Sequence, residues 1–248
     1  MYNIIYKLNE IEKRANEYEV FSFDVFDTLI FRSVEGNNYR EFVISERMSD
    51  LLKQTGILTD VFEICELRRA MFNRTKQVTG DEVDYYAAIA GMLRHLNVPG
   101  TKIAELAKTL YDAEKAYELK VTYANPEAEP LFEALKRQGK RIIAICDMYL
   151  PKDAVEDILR HAGLYKYLDA LFVSSECDFM SKASGSLYDY VGEKYIQDKS
   201  AVLHTGDNYV SDFENAVKHN FHSYHYVNKS NEKRKERVFK EPKRLVSQ

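Results

Sequence analysis

Apolar residues along this chain recur at two spacings, and the change from one to the other marks its organisation. Ile4, Ile5, Leu8, Ile11 and Ala15 fall at helical intervals, which predicts an opening amphipathic helix, and Val20-Phe21-Ser22-Phe23 predicts a strand after it. Residues 33–38, with Ser, Gly and two Asn, read as a connector. From 39 to 123 the spacing stays helical, with candidate helices at 40–54, 61–77, 81–96 and 102–121 and no strand pattern between them. From Asn125-Pro126 onward, helices and short apolar runs alternate: helix to 138, strand 141–145, helix 152–162, strand 170–174, helix 186–195, strand 201–205, helix 211–220 and strand 222–227. Such alternation specifies a parallel sheet covered by helices on both faces, with ligands bound beyond the carboxyl ends of its strands. The expected organisation is an α/β core of residues 1–35 and 124–228, a helical insertion of residues 36–123, and a tail of residues 229–248.

Composition narrows the class. At 248 residues and 45% apolar, the chain has enough material for a large buried core. No apolar stretch reaches the length of a membrane span and the start lacks the marks of a signal peptide, so the cytoplasm is the expected location. Cys65, Cys146 and Cys177 are odd in number and lack metal-ligand spacing, which argues against a disulfide framework or a zinc site. The net charge of −4 conceals a basic end: residues 228–248 carry +5 and the rest −9. Lys233-Arg234-Lys235 fits a solvated terminal helix or a linker better than a contact with an anionic membrane, nucleic acid or another domain.

Candidate chemistry lies where the apolar runs end. Phe21-Ser22-Phe23-Asp24-Val25-Phe26-Asp27-Thr28 closes a strand on a carboxylate, and the run 141–147 ends on Cys146-Asp147. Met180-Ser181-Lys182-Ala183-Ser184-Gly185 offers a lysine ahead of a helix, and His204-Thr205-Gly206-Asp207 ends a strand with Asp212 five residues further on. In that order the four segments resemble the motifs of the haloacid dehalogenase (HAD) superfamily of aspartate-nucleophile hydrolases, over roughly residues 20–227. The resemblance implies a Rossmann-like parallel core with an inserted all-helical cap that closes over the catalytic face.

It also implies roles. Asp24 would be the nucleophile and Lys182 the cation that balances it and holds the phosphoryl group. Mg2+ would be held by Asp24, the main-chain carbonyl of Phe26, and Asp207, with Asp212 bound directly or through water. Cys146 stands where the family usually has Ser or Thr against a phosphate oxygen, so main-chain N–H groups around Asp147 and Met148 would share that task, and Thr28 would help orient phosphate. Phosphatases of the superfamily carry a second aspartate two residues after the nucleophile as acid and base; here that place is Phe26. Asp27, one residue later, either replaces the acid or holds the turn. Arg68, Arg69, Arg74 and Lys76 are the first candidates for anion contacts from the insertion, Tyr85, Tyr86, Tyr111, Tyr117 and Tyr123 read as core and interface residues, and His204 reads as a packed histidine.

The leading function is therefore a Mg2+-dependent phosphohydrolase acting on a small phosphorylated molecule through an aspartyl-phosphate. Asp24-Val25-Phe26-Asp27-Thr28, together with the run Asp147-Met148-Tyr149-Leu150-Pro151, resembles a branch of hydrolases encoded with or fused to bacterial glycosyltransferases, which implies surface-polysaccharide metabolism and a glycosyltransferase partner. Two other readings stay open. A haloacid dehalogenase also places an aromatic residue after the nucleophile, although Asp207 counts against it; a weakly active HAD-like module would bind a phosphorylated ligand or a partner.

Overall fold

The runs that end in carboxylates become neighbouring strands of one parallel sheet. The computed structural model describes residues 3–34 and 36–228, so the basic tail lies outside the described residues. In chain order the strands are β1 (Ile4–Ile5), β2 (Val20–Phe23), β3 (Ile30–Arg32), β4 (Thr122–Ala124), β5 (Arg141–Cys146), β6 (Ala170–Val173), β7 (Val202–Gly206) and β8 (His222–Tyr226). Six of them form a sheet in the order β1-β8-β7-β2-β5-β6, parallel at every pairing. Every residue of β2 is buried, as expected of a central strand covered on both faces. Phe23 lies opposite Ala144 on one side and Thr205 on the other, so β2, β5 and β7 deliver their carboxyl ends to one edge.

Four helices fill the insertion: α1 (Asn37–Gln54), α2 (Val61–Thr79), α3 (Tyr85–His95) and α4 (Gly100–Val121). The core carries α5 (Ala128–Arg137), α6 (Lys152–His161), α7 (Ser186–Lys194) and the short α8 (Asn215–Lys218). The Rossmann-like parallel sheet with an all-helical insertion is the fold.

Four details differ from the sequence expectation. Ile4 and Ile5 leave the opening helix to pair with His225 and Tyr226 as an edge strand, while Leu8, Ile11 and Ala15 form the buried face of a 3-10 helix over Leu8–Glu17. The Glu127 carboxylate accepts the Leu8 N–H at 2.6 Å and satisfies one of its free donors. Helix α3 starts at Tyr85 rather than at 81, because Asp84 caps it by accepting the Ala87 N–H, and Asp81 and Glu82 turn toward the core instead.

At the junctions, β3 and β4 pair antiparallel with Phe31 opposite Tyr123, a ribbon joining entry to and exit from the insertion; three residues each are too few to show alternation. The helix expected at 211–220 opens as a wide π-helical turn, Tyr209–Glu214, capped by the Asn208 side chain at the N–H groups of Val210 and Ser211. Such wide turns occur often at functional sites.

Candidate active site

The turn after β2 is tight. Leu29 and Ile30 N–H both donate to the Val25 carbonyl, Asp27 N–H donates to the Ile30 carbonyl, and Asp27 takes the left-handed conformation at φ 64°. Asp24 N–H donates to the Thr205 carbonyl at 2.9 Å, which ties the end of β2 to β7. Asp24 is thus fixed at the centre of the sheet edge, 7% exposed.

Lys182 reaches it from the loop before α7. Its ammonium donates to Asp24 Oδ1 at 2.5 Å and to Asp212 Oδ1 at 2.6 Å, and all three side chains are buried. Burying charges is costly unless they are paired and hydrogen-bonded, and this cation between two carboxylates meets that condition. Burial raises the Asp24 carboxyl well above its usual range, Lys182 works against the rise, and Asp212 and Asp207 add to it. Burial alone would lower the Lys182 ammonium, but Asp212 and Asp24 raise it well above its usual value, so the proton stays on lysine. Burial would raise Asp212 too; Lys182 and His204 outweigh it and hold that carboxyl well below the usual range.

The lysine loop is itself anchored. Asp147 accepts the N–H groups of Lys182 at 2.8 Å and Ala183 at 3.2 Å, and the Asn215 amide donates to the carbonyls of both residues. Asp147 therefore positions Lys182, and the Met148 N–H, expected near phosphate, donates to Ser174 Oγ at 2.8 Å. The Cys146 thiol is buried beside Asp24, and burial with that carboxylate raises its pKa well above the usual value. Thr28 Oγ1 is buried without a hydrogen-bond partner. His204 is packed: Nδ1 lies 2.8 Å from Ser22 Oγ, its ring meets Tyr188 edge-on, and burial lowers its pKa.

Asp24, Asp207 and Asp212 can each bring a carboxylate oxygen within 4.8 Å of the others. Three hard oxygen donors suit magnesium or calcium better than a soft metal. Asp212 already uses one oxygen on Lys182 and accepts the Asn208 N–H at 2.9 Å with the other, which fits an outer position better than direct ligation. Phe26 is half-buried beneath the Arg32 guanidinium, 4.0 Å from the ring centre.

The chain matches the family model for haloacid dehalogenase-like hydrolases over residues 18–218. It belongs to that family of hydrolases. A 2-haloacid dehalogenase from Pseudomonas syringae pv. Tomato DC3000 is similar with a TM-score of 0.65 at 17% identity, over 84% of this chain and 86% of that one. A predicted phosphoglycolate phosphatase from Haemophilus somnus (TM-score 0.51, 15% identity, 88% and 92% covered) and a HAD phosphatase from Thermococcus onnurineus (0.51, 15%, 85% and 86%) share the fold as well. None of the curated proteins matches the chain. Among the described residues of this HAD-family hydrolase, no helix is long and apolar enough to cross a membrane.

Sequence reasoning missed a second polar cluster, in the insertion. Glu114 and Glu118 of α4 are buried; Arg68, Tyr85 and Tyr149 donate to Glu114, and Arg32 donates to Glu118 at 2.9 Å. Both glutamates share the helical stripe of Leu110, Tyr111, Tyr117 and Val121, so acids on an apolar face were the available signal. Of the expected anion-binding candidates, Arg68 is committed to Glu114, Arg69 donates to Glu41 at 3.0 Å, and Arg74 and Lys76 are exposed. Tyr85, Tyr111 and Tyr117 are buried; Tyr86 and Tyr123 are exposed.

Proposed function

We propose that this HAD-family hydrolase is a magnesium-dependent phosphohydrolase that acts on a small phosphorylated molecule through an aspartyl-phosphate on Asp24. The observation that carries it is the buried Lys182 ammonium bridging Asp24 and Asp212, with Asp207 near enough to complete a hard cation site. Asp24, the Phe26 carbonyl and Asp207 would hold Mg2+, with Asp212 behind them; bound there, the ion would screen the charge of nucleophile and phosphate. Attack of Asp24 on phosphorus would form the aspartyl-phosphate as the bond to the leaving oxygen breaks, with Lys182 offsetting the charge on the carboxylate and the phosphoryl oxygens. Water would then cleave the acyl phosphate, returning the Asp24 carboxylate and releasing phosphate. Thr28 Oγ1, a buried hydroxyl without a partner, is available to a phosphate oxygen. The Cys146 thiol is a weak donor whose raised pKa keeps it protonated and unsuited to attack. The helical insertion, residues 36–123, serves as the cap that decides substrate choice.

With phenylalanine two residues after the nucleophile, proton delivery to the leaving group falls to Asp27, a cap residue or water. General acids typically contribute on the order of 10²–10⁴ in rate, so substrates that need no such help should be favoured. The test is phosphate release from a panel of aryl, acyl and alkyl phosphates with and without Mg2+. Metal-dependent turnover ordered aryl and acyl above alkyl is expected. Release of halide from 2-haloacids without metal, and no phosphate from any ester, would replace this reading with dehalogenation, which the aromatic Phe26 would also suit.

A further inference from the structure

Polar side chains inside a covered sheet are costly unless they are hydrogen-bonded, and two of them stand opposite each other beneath the catalytic edge. Ser22 of β2 and His204 of β7 are register partners, and both are fully buried. Side chains alternate along a strand, so Ser22 shares a sheet face with Asp24. Ser22 Oγ lies 2.8 Å from His204 Nδ1, and His204 Nε2 lies 3.4 Å from Asp212 Oδ1, the oxygen that also accepts from Lys182. Tyr188 of α7 meets the imidazole edge-on and its hydroxyl donates to the Ser211 carbonyl at 2.9 Å, so the ring is held between β7 and the turn that carries Asp212.

The direction of these hydrogen bonds follows from charge. Against burial, Lys182 and the ring hold Asp212 ionised, so it has no proton to give and His204 Nε2 must donate to it. Burial, with Lys182 adding to it, disfavours a charged ring, which leaves Nδ1 as the acceptor of the Ser22 hydroxyl. Elsewhere on Asp212, the Asn208 N–H holds Oδ2 at 2.9 Å and Ser223 Oγ donates to the main-chain carbonyl at 2.6 Å. Oδ1 therefore has two donors, an ammonium on a four-carbon stem and a clamped imidazole. When a phosphoryl group draws the Lys182 ammonium toward its oxygens, Oδ1 loses hydrogen bonding in a buried place, and a carboxylate left short pulls the cation back. His204 Nε2–H is in place to make up that loss, and bonds of this kind are often long in a resting site and tighten on binding.

We infer that His204, its tautomer set by Ser22, is a positioning residue that keeps Asp212 hydrogen-bonded and so leaves the Lys182 ammonium directed at Asp24 and the phosphoryl oxygens. The inference rests on the phosphohydrolase reading of Asp24.

The experiment compares His204→Gln with His204→Asn in phosphate release from an aryl phosphate with Mg2+, beside proton–nitrogen correlation spectra of the histidines in the full chain. A glutamine amide reaches where Nε2 stands and an asparagine amide only where Nδ1 stands, while both put a neutral amide in the same buried space. His204→Asn should lower kcat about tenfold or more, the size of one lost hydrogen bond to a charged group, and His204→Gln should retain most of the parent rate. Thermal melting checks that both fold. A histidine that merely fills the core would make the two variants fall together, so an equal fall in both, or none in either, would overturn the assignment. The parent spectrum should show the His204 signal, identified by its loss in either variant or in His204→Leu, with the proton on Nε2. A proton on Nδ1 instead would overturn the inference whether or not the amide variants fold. The Nε2–H tautomer in a chain that releases no phosphate from any ester would keep the contact to Asp212 and reject the phosphohydrolase reading.

Discussion

At Gly206 a side chain has nowhere to go: a Cβ built there would lie 2.3 Å from Asp212 Cγ and 2.6 Å from its Cβ. Asp212 cannot yield easily, because Lys182 and the Asn208 N–H hold its two oxygens. Glycine after Thr205 is therefore what lets the carboxylate fold under the strand end and meet the lysine. Gly206→Ala should cost about 1–3 kcal/mol of stability, as overpacking does, and should cut turnover more sharply by moving Asp212 off Lys182. Chemical denaturation and initial rates on one preparation check it; unchanged rates would show that Asp212 need not occupy this position.

At the scale of elements, the loop between α2 and α3 joins the insertion to the core. Asp81 accepts the hydroxyls of Ser184 and Ser186, next to Lys182, and Glu82 accepts the Ser174 hydroxyl at 2.8 Å, the same hydroxyl that receives the Met148 N–H. Burial raises the Glu82 pKa above its ordinary value, with its hydrogen bonds to Val83 and Ser174 only partly opposing it. A carboxyl with a raised folded pKa binds more protons folded than unfolded, so stability falls as pH climbs from the ordinary carboxylate range through the raised value. Glu82→Gln should remove that component and flatten the dependence in the weakly acidic range, read from denaturation midpoints against pH. A slope as steep in the variant as in the parent would contradict it. This loop was hidden in the sequence because 81–96 has helical spacing throughout, while the serines that draw Asp81 and Glu82 away are some ninety or more residues distant.

At the scale of the whole molecule, what could be read in advance was what repeats or ends abruptly. Buried strands 20–23, 141–146 and 202–206 stand out as short, mainly apolar stretches that end in polar or small residues, and their parallel order puts those ends on one edge whatever the details of the turns. Asp24 stands at that edge for this reason, and Lys182 and Asp212 reach it from the loop before α7 and the turn after β7. Hidden from sequence were contacts between distant elements: the α4 glutamates with Arg32 and Arg68, the Asp147 carboxylate holding the lysine loop, and the short ribbon of β3 with β4. Each depends on how elements far apart in the chain pack, whether within the insertion, within the core or between the two, and no local pattern encodes that.

The central claim is that Asp24, balanced by Lys182, is the nucleophile of a phosphoryl transfer. Its most direct measurement is phosphate release from an aryl phosphate in the presence of Mg2+ by the parent chain and by pure Asp24→Asn. The parent should turn over and the variant should lose activity to background while melting as a folded protein, because the amide keeps the shape and cannot attack phosphorus. Phosphate released at the parent rate by Asp24→Asn would contradict the account.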